Sequence, residues 1–142
     1  MMINRIVWIL AGAALTVPGG ALAQSAALTA ALSGANATGG GDTDGSGRLV
    51  AKVDAEAGDF CYTLSAKGLD NVTMAHVHEG AAGSDGKPVI KLDVTGDDSD
   101  ECVAAEPDTL KAIIAAPQNY YVNIHTTAFP GGAVRGQLVK GG

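Results

Sequence analysis

Short segments in which polar and apolar residues alternate, separated by Gly, Asp, Asn and Pro, run through most of this sequence and constrain its fold more than any other feature. In residues 48–54, for example, Leu49, Ala51 and Val53 recur at every second position. Side chains two residues apart in a strand share a face, so such a segment can bury one face in a core and leave the other to water. The pattern therefore predicts an all-β domain.

Seven segments of this kind predict strands, and one further segment has helical periodicity instead. In residues 107–116, three apolar side chains recur at the i, i+3 and i+4 spacing of a short helix. Pro117 ends that helix. The predicted strands are residues 26–32, 48–54, 60–65, 72–78, 88–94, 120–127 and 133–140. Seven short strands and one short helix in a domain of this size predict a Greek-key β-sandwich.

The first 23 residues are typical of a secretory signal peptide. Arg5 gives a positively charged start, and residues 6–17 form an uncharged apolar run. Ala21 and Ala23 then frame a small-residue cleavage site. The apolar run is shorter than the about 20 residues that a membrane-spanning helix needs. We therefore expect residues 1–23 to be removed during export to the periplasm or the cell exterior. Residues 24–142 would form one domain without a membrane span.

The expected mature chain is acidic, with eight basic against fifteen acidic residues and hence a net charge of −7. Such a surface repels phosphate backbones, so we expect no nucleic-acid partner. Nucleophilic hydrolysis is not indicated either, because the sequence has no Gly-x-Ser-x-Gly elbow and no phosphate-binding Gly-rich loop. We therefore do not expect an enzyme.

Two cysteines, Cys61 and Cys102, remain in the mature chain. In an oxidising compartment, two thiols of a small domain most simply form one disulfide. The alternative is that one of them is a metal-binding or catalytic thiolate. Export favours the disulfide, because reactive thiolates are more typical of reducing compartments.

All three histidines of the chain lie in two strand-like segments. His76 and His78 are two residues apart and can therefore share one strand face, while His125 lies in the later segment 120–127. Three imidazoles can bind copper or zinc and leave one coordination position open. Met74 is on the same face of the first segment, and its thioether would favour reduced copper. In the alternative interpretation the histidines orient loops by hydrogen bonding, and Met74 fills the core.

Arg135 lies in the middle of the last predicted strand, where a charged side chain needs water or a partner. We treat it, with Met74, as a candidate neighbour of the metal. There it could guide an anion or a carboxylate toward the site. In the alternative it forms a bidentate ion pair with Glu79 or Asp85 and fixes the loop after His78.

Taken together, these motifs resemble the CHRD domain, first described in chordin and found also in exported bacterial proteins. The resemblance implies an immunoglobulin-like Greek-key β-sandwich over residues 24–142, with the two cysteines where the family tends to form a disulfide. It does not supply a function, because one fold serves many functions. The motifs are Leu32-Ser33-Gly34-Ala35-Asn36, Gly68-Leu69, Ala75-His76-Val77-His78-Glu79-Gly80-Ala81-Ala82-Gly83, Tyr120-Tyr121-Val122-Asn123-Ile124-His125-Thr126 and Phe129-Pro130-Gly131-Gly132-Ala133-Val134-Arg135-Gly136-Gln137-Leu138.

Two functions from different classes fit the sequence. One is an exported binding protein that holds copper or zinc through His76, His78 and His125. The other is a structural or adhesive extracellular module that binds no metal and uses its histidines to brace loops. The sequence does not identify a macromolecular partner. The two hypotheses differ in whether the three imidazoles converge in space: ring nitrogens within roughly 4 Å of one another could share an ion, whereas side chains on opposite faces could not.

Overall fold

A computed structural model describes residues 23–141 of the chain. The predicted signal peptide lies outside these residues except for Ala23. The described residues contain nine strands: β1 (Ser25–Ser33), β2 (Ser46–Asp54), β3 (Asp59–Lys67), β4 (Val72–Glu79), β5 (Pro88–Leu92), β6 (Glu101–Ala104), β7 (Tyr120–Thr126), β8 (Val134–Gln137) and β9 (Val139–Lys140). One α-helix, α1 (Pro107–Ala115), and two single-turn 3₁₀ helices complete the fold. The prediction of an all-β domain with one short helix is confirmed.

Nine strands replace the seven expected, for two reasons. The first is β6, which follows directly on a run of acidic residues and pairs with β3. The second is a break in the last predicted strand at Leu138, which is fully buried. Its backbone N–H donates to the carbonyl of Tyr120 (2.9 Å), whereas the residues after it pair with β1. The chain thus changes pairing partner at Leu138, which divides β8 from β9.

The strands form one antiparallel path in the order β5-β4-β7-β8-β1-β2-β3-β6, with β9 pairing beside β1. β1 pairs with β2 over its whole length but with β8 only at Ser33. A gap remains between the two ends of this strand path. The segment after β5 narrows it, because the N–H of Thr95 donates to the carbonyl of Leu64 in β3 (2.9 Å). The result is a nearly closed antiparallel sheet, and this pairing order does not confirm the predicted immunoglobulin-like sandwich.

A single hydrophobic core lies inside this sheet. Val77 and Val122 come from one half of the strand path, and Leu49 and Phe60 come from the other half. Each of these side chains is at most 1% exposed, and full burial of such a side chain contributes about 1.5–3 kcal/mol. The two halves of the sheet therefore face each other across one apolar interior.

Helix α1 adds to the same core through its apolar face. Leu110, Ile113 and Ile114 are buried, as their spacing predicts. The helix begins with Pro107 at a position where a missing N–H costs nothing. Among the helices of residues 23–141, none is long and apolar enough to cross a membrane.

The predicted disulfide between Cys61 and Cys102 is confirmed. The two residues lie directly opposite each other in the pairing of β3 with β6. The bridge spans a sequence separation of 41 residues, and a loop of that size corresponds to about 4 kcal/mol in the chain-entropy treatment. The disulfide thus fixes the short edge strand β6 onto the sheet.

Candidate metal centre

The pairing of β4 with β7 brings the three histidines to one face of the sheet. Met74 of β4 lies opposite His125, and His76 lies opposite Asn123. Directly opposed residues of an antiparallel pair point to the same side. Because alternation places Met74, His76 and His78 on one side of β4, His125 joins them. Their neighbours in β4, Ala75 and Val77, point into the core.

The three imidazoles are close enough to share one ion. The ring centroids of His76 and His78 are 5.5 Å apart, those of His76 and His125 are 5.6 Å apart, and those of His78 and His125 are 6.0 Å apart. One ring nitrogen from each residue lies within 4.8 Å of the others. Tetrahedral bonds of 2.0–2.1 Å would separate ligating nitrogens by about 3.4 Å. The widest pair would have to approach by at most roughly 1.4 Å for one ion to bind all three nitrogens.

Two loops cover this face and orient two of the imidazoles. His78 Nδ1 donates to the carbonyl of Gly86 in the loop of residues 80–87 (2.9 Å). His125 Nδ1 donates to the carbonyl of Pro130 in the loop of residues 127–133 (2.8 Å). A carbonyl oxygen only accepts, so both rings carry their proton on Nδ1 and present the lone pair of Nε2. Metal-ligating histidines commonly have such an outer hydrogen bond.

One ring nitrogen of each histidine has no hydrogen-bond partner among the described residues. The unpartnered buried atoms include His76 Nδ1, His78 Nε2 and His125 Nε2. His78 and His125 are each only 8% exposed. A buried polar atom without a hydrogen bond costs about 1–3 kcal/mol, so proteins rarely leave several of them together. Three adjacent free nitrogens of this kind form a donor set that a metal ion would satisfy.

The surroundings keep two of these rings in the neutral form that binds metal. Burial lowers the pKa of His76, and the nearby His78, His125 and Lys91 lower it further. Burial is also the main cause that lowers the pKa of His78, although the hydrogen bond to Gly86 opposes the shift. Neutral imidazole is the ligating form, because a protonated ring nitrogen has no lone pair to give.

Asn123 is a site residue that the sequence reasoning missed. It lies opposite His76, is 6% exposed, and donates from Nδ2 to the carbonyl of Gly131 (3.3 Å). Its Oδ1 has no partner in the described part of the chain. Its position two residues before His125 places it on the same strand face, and that spacing is the signal that identifies it.

Arg135 braces a loop, and its carboxylate partner is Asp85. Its guanidinium is 2% exposed and contacts Asp85 through one nitrogen at 3.4 Å, so the pair is not the predicted bidentate one. The other terminal nitrogen donates to the carbonyls of Ala81 (2.9 Å) and Ser84 (2.8 Å). Glu79, the other predicted partner, pairs with Lys87 at 3.7 Å. These contacts support the loop-fixing interpretation.

Arg135 is nevertheless connected to the histidines through one aromatic ring. Its guanidinium carbon lies 3.4 Å from the ring centroid of Tyr121. The other neighbour of that ring is His78, stacked at 4.9 Å with an interplanar angle of 9°. The Tyr121 hydroxyl also accepts the N–H of Gly86 (3.2 Å). Arg135 therefore helps to position His78 through Tyr121, without itself being placed as a ligand.

Met74 is not a core residue. It is 48% exposed, although it lies opposite His125 and on the same face of β4 as His76. This exposure excludes the interpretation in which Met74 fills the core. Met74 instead lies at a solvent-exposed position of the strand face that carries His76.

Comparison with known proteins identifies one family. The family model of the CHRD domain matches residues 28–138. That range contains all three histidines, Arg135 and both cysteines. Neither a search of curated proteins nor a search of solved structures found a match to the chain.

Proposed function

The chain belongs to the CHRD-domain family, and from that premise and the geometry of the site we propose that it is an exported protein that binds one copper or zinc ion through His76, His78 and His125. One observation carries this proposal. Three buried ring nitrogens without hydrogen-bond partners belong to a histidine group whose ligand atoms lie within 4.8 Å of one another.

The donor set decides which metals fit. Imidazole nitrogen suits zinc and copper, whereas calcium and magnesium require oxygen ligands. Among residues 23–141, the group of mutually close ligand atoms contains three histidines and no carboxylate. The hydrogen bonds from His78 and His125 to loop carbonyls would hold both rings in position. These features support a transition-metal site.

We propose binding, storage or trafficking of the ion rather than catalysis. A zinc with three protein ligands keeps a position for water, but hydrolysis also needs a general base near that water. The histidine group includes no Asp or Glu within the described range. Asp85, which contacts Arg135, has a 75% exposed side chain and is engaged by that cation.

Two further properties belong to the same proposal. Export is supported by the signal-like residues 1–23 and by the disulfide, which is typical of oxidising compartments. The immunoglobulin-like Greek-key sandwich is supported by the single core between the two halves of the sheet.

A second candidate function is a structural or adhesive extracellular module. It is favoured by the bonds from His78 to Gly86 and from His125 to Pro130, which brace two loops without any metal. This second function gives no role to the unpartnered Nδ1 of His76, whereas a metal site would account for it.

Metal analysis of the purified mature protein separates the two functions. The wild type, a His76→Ala/His78→Ala variant and a Thr73→Ala/Lys87→Ala control would each be loaded with copper or zinc, desalted and measured by inductively coupled plasma mass spectrometry. The control removes two exposed side chains in or beside β4 that are not among the three proposed ligands. We expect about one equivalent in the wild type and the control, and a loss in the histidine variant. Sub-stoichiometric metal that the histidine variant retains would contradict the proposal.

A further inference from the structure

Met74 is the single methionine of the described residues, since the other two are Met1 and Met2. It lies opposite His125 and two residues from His76, on the face that carries the three imidazoles. Opposed residues of an antiparallel pair have Cβ atoms about 4.5–5.5 Å apart, which is within the reach of a methionine side chain. The sheet therefore places one methionine on the strand face that carries the three histidines, within reach of His125.

The exposure of Met74 is unusual for its residue type. At 48%, it is one of four large apolar side chains recorded as exposed in residues 23–141. Methionine usually fills gaps in cores, where its flexible thioether is an asset. Exposure forgoes the apolar burial that would otherwise stabilise the fold, and it leaves the Met74 side chain accessible from solvent.

A β-bulge lies directly before Met74. The register of β4 against β7 shifts between Val72 and Met74, so that Met74 is the first residue of the regular pairing that includes His76 and His78. Bulges are common beside functional sites, where they end a pairing or redirect a side chain. Here the regular pairing of β4 with β7 begins at Met74, directly after the bulge, and continues through His76 and His78.

From this placement we propose that Met74 is a fourth ligand of the site and that the ion it selects is reduced copper, Cu(I). The inference rests on the proposed three-histidine metal site and specifies its cargo. A thioether is a soft ligand that favours Cu(I), whereas zinc accepts imidazoles without it. Three nitrogens and one sulfur complete a four-coordinate shell. The ion is bound as Cu(I), so no electron is transferred at the site.

The exposed position of Met74 also suits transfer of the ion. His78 and His125 are bonded to two loops and buried, whereas Met74 is open to solvent, so an incoming Cu(I) would meet the thioether before those two imidazoles. A ligand at the surface can exchange with the ligands of a donor or acceptor. This arrangement deepens the proposed trafficking role.

The test compares two metals in the wild type and in Met74→Leu. Leucine keeps the size and apolar character of an exposed side chain, so we expect the fold to be retained, as circular dichroism would verify. Affinity for Cu(I) would be measured without oxygen by competition with bicinchoninate, and affinity for Zn(II) by competition with a chromophoric chelator. Val72→Leu serves as the matched control, because Val72 is also exposed on β4.

We expect Met74→Leu to lose at least about tenfold in Cu(I) affinity, the lower end of the about 10–100-fold that loss of even an outer-shell partner causes, while Zn(II) affinity stays within about twofold. X-ray absorption of the Cu(I) form should show a copper–sulfur path that is absent from the variant. Equal affinities in the wild type and the variant, or equal losses for both metals, would overturn the role of Met74 and leave the three-histidine site standing. A wild type that binds neither metal would overturn both proposals.

Discussion

The two faces of β7 are buried to the same degree but by different chemistry. Val122 and Ile124 point into the core and are fully buried. Asn123 and His125 point the other way and are 6% and 8% exposed. The first face is covered by apolar side chains, and the second is covered by loop backbone that accepts hydrogen bonds.

The difference shows how one strand can serve stability and function at the same time. The core face gains from apolar burial that needs no particular partner. The polar face satisfies one nitrogen of His125 and one of Asn123 with carbonyls and leaves the remaining atoms without partners. Such incomplete satisfaction is expected where a ligand, rather than the fold, completes the bonding. The comparison predicts that substitutions on the two faces will separate stability from metal binding.

The largest effect should come from the core face. Ile124→Ala removes a fully buried side chain, and such changes cost about 2–5 kcal/mol of unfolding free energy. Val50→Ala, on a side chain that is 43% exposed, should change it by no more than about 0.5 kcal/mol. Urea denaturation of the metal-free protein measures both. Similar midpoints for the two variants would show that the interior of the sheet is not packed as described.

The next effect should come from metal on the polar face. At 100 times its dissociation constant, a metal that binds only the folded state adds about 2.7 kcal/mol. We expect this gain in the wild type and in Ile124→Val, which leaves the histidines in place. It should vanish in His125→Phe, which keeps a ring of similar size in a buried position. Denaturation with and without zinc measures the gain, and an undiminished gain in His125→Phe would contradict the ligand role of His125.

These two faces also show what the sequence could predict. Alternation was enough to place His76 and His78 together and to identify the apolar residues of the core. Whether His125 joins them depends on register, which a period of two does not encode. Register here depends on pairings that include a bulge beside Met74. Which loops cover the polar face was not predictable. The hydrogen bonds are accepted by backbone carbonyls, such as that of Gly86, and every residue has such a carbonyl whatever its side chain.

The helix and the disulfide were predictable for different reasons. Helix α1 has a local apolar period and a proline at each end, so neighbouring residues determine it. The pairing of Cys61 with Cys102 was expected because the sequence has only two cysteines and begins with a signal-like segment. Strand β6 was missed, because its four residues have a partly exposed pattern and follow directly on acidic residues. Its position is determined by long-range pairing with β3.

A smaller effect should come from the loop that covers the polar face. Arg135→Lys keeps the charge but cannot donate to both Ala81 and Ser84 while it stacks on Tyr121. We expect the unfolding free energy to fall by about 1–3 kcal/mol and the backbone amides of residues 80–87 to exchange hydrogen faster. Arg48→Lys, at an exposed position in β2, is the control and should change neither. An unchanged rate of hydrogen exchange in Arg135→Lys would show that Arg135 does not hold the loop of residues 80–87 in place.

The smallest effect should be a pH dependence that only the polar face produces. The pKa values of His76 and His78 are lowered in the folded protein, mainly by burial, from the ordinary value of 6.5. Well above that pH both rings are neutral in the folded and unfolded states, so neither ring makes the unfolding free energy depend on pH. As the pH falls below 6.5, the unfolded chain takes up protons first. The unfolding free energy of the metal-free protein should therefore decrease as the pH falls from about 6.5 toward the lowered folded pKa values, and level off below them.

Denaturation between pH 7.5 and about pH 5 tests this dependence before most carboxylates begin to titrate. A His76→Asn/His78→Asn variant lacks both groups and should show a weaker decrease over the same interval. Ile124→Val, altered only on the core face, should keep the wild-type slope although its stability is lower. If the double variant shows the full wild-type slope, the burial of these two rings does not influence stability, and the polar face would be more open to water than the core face.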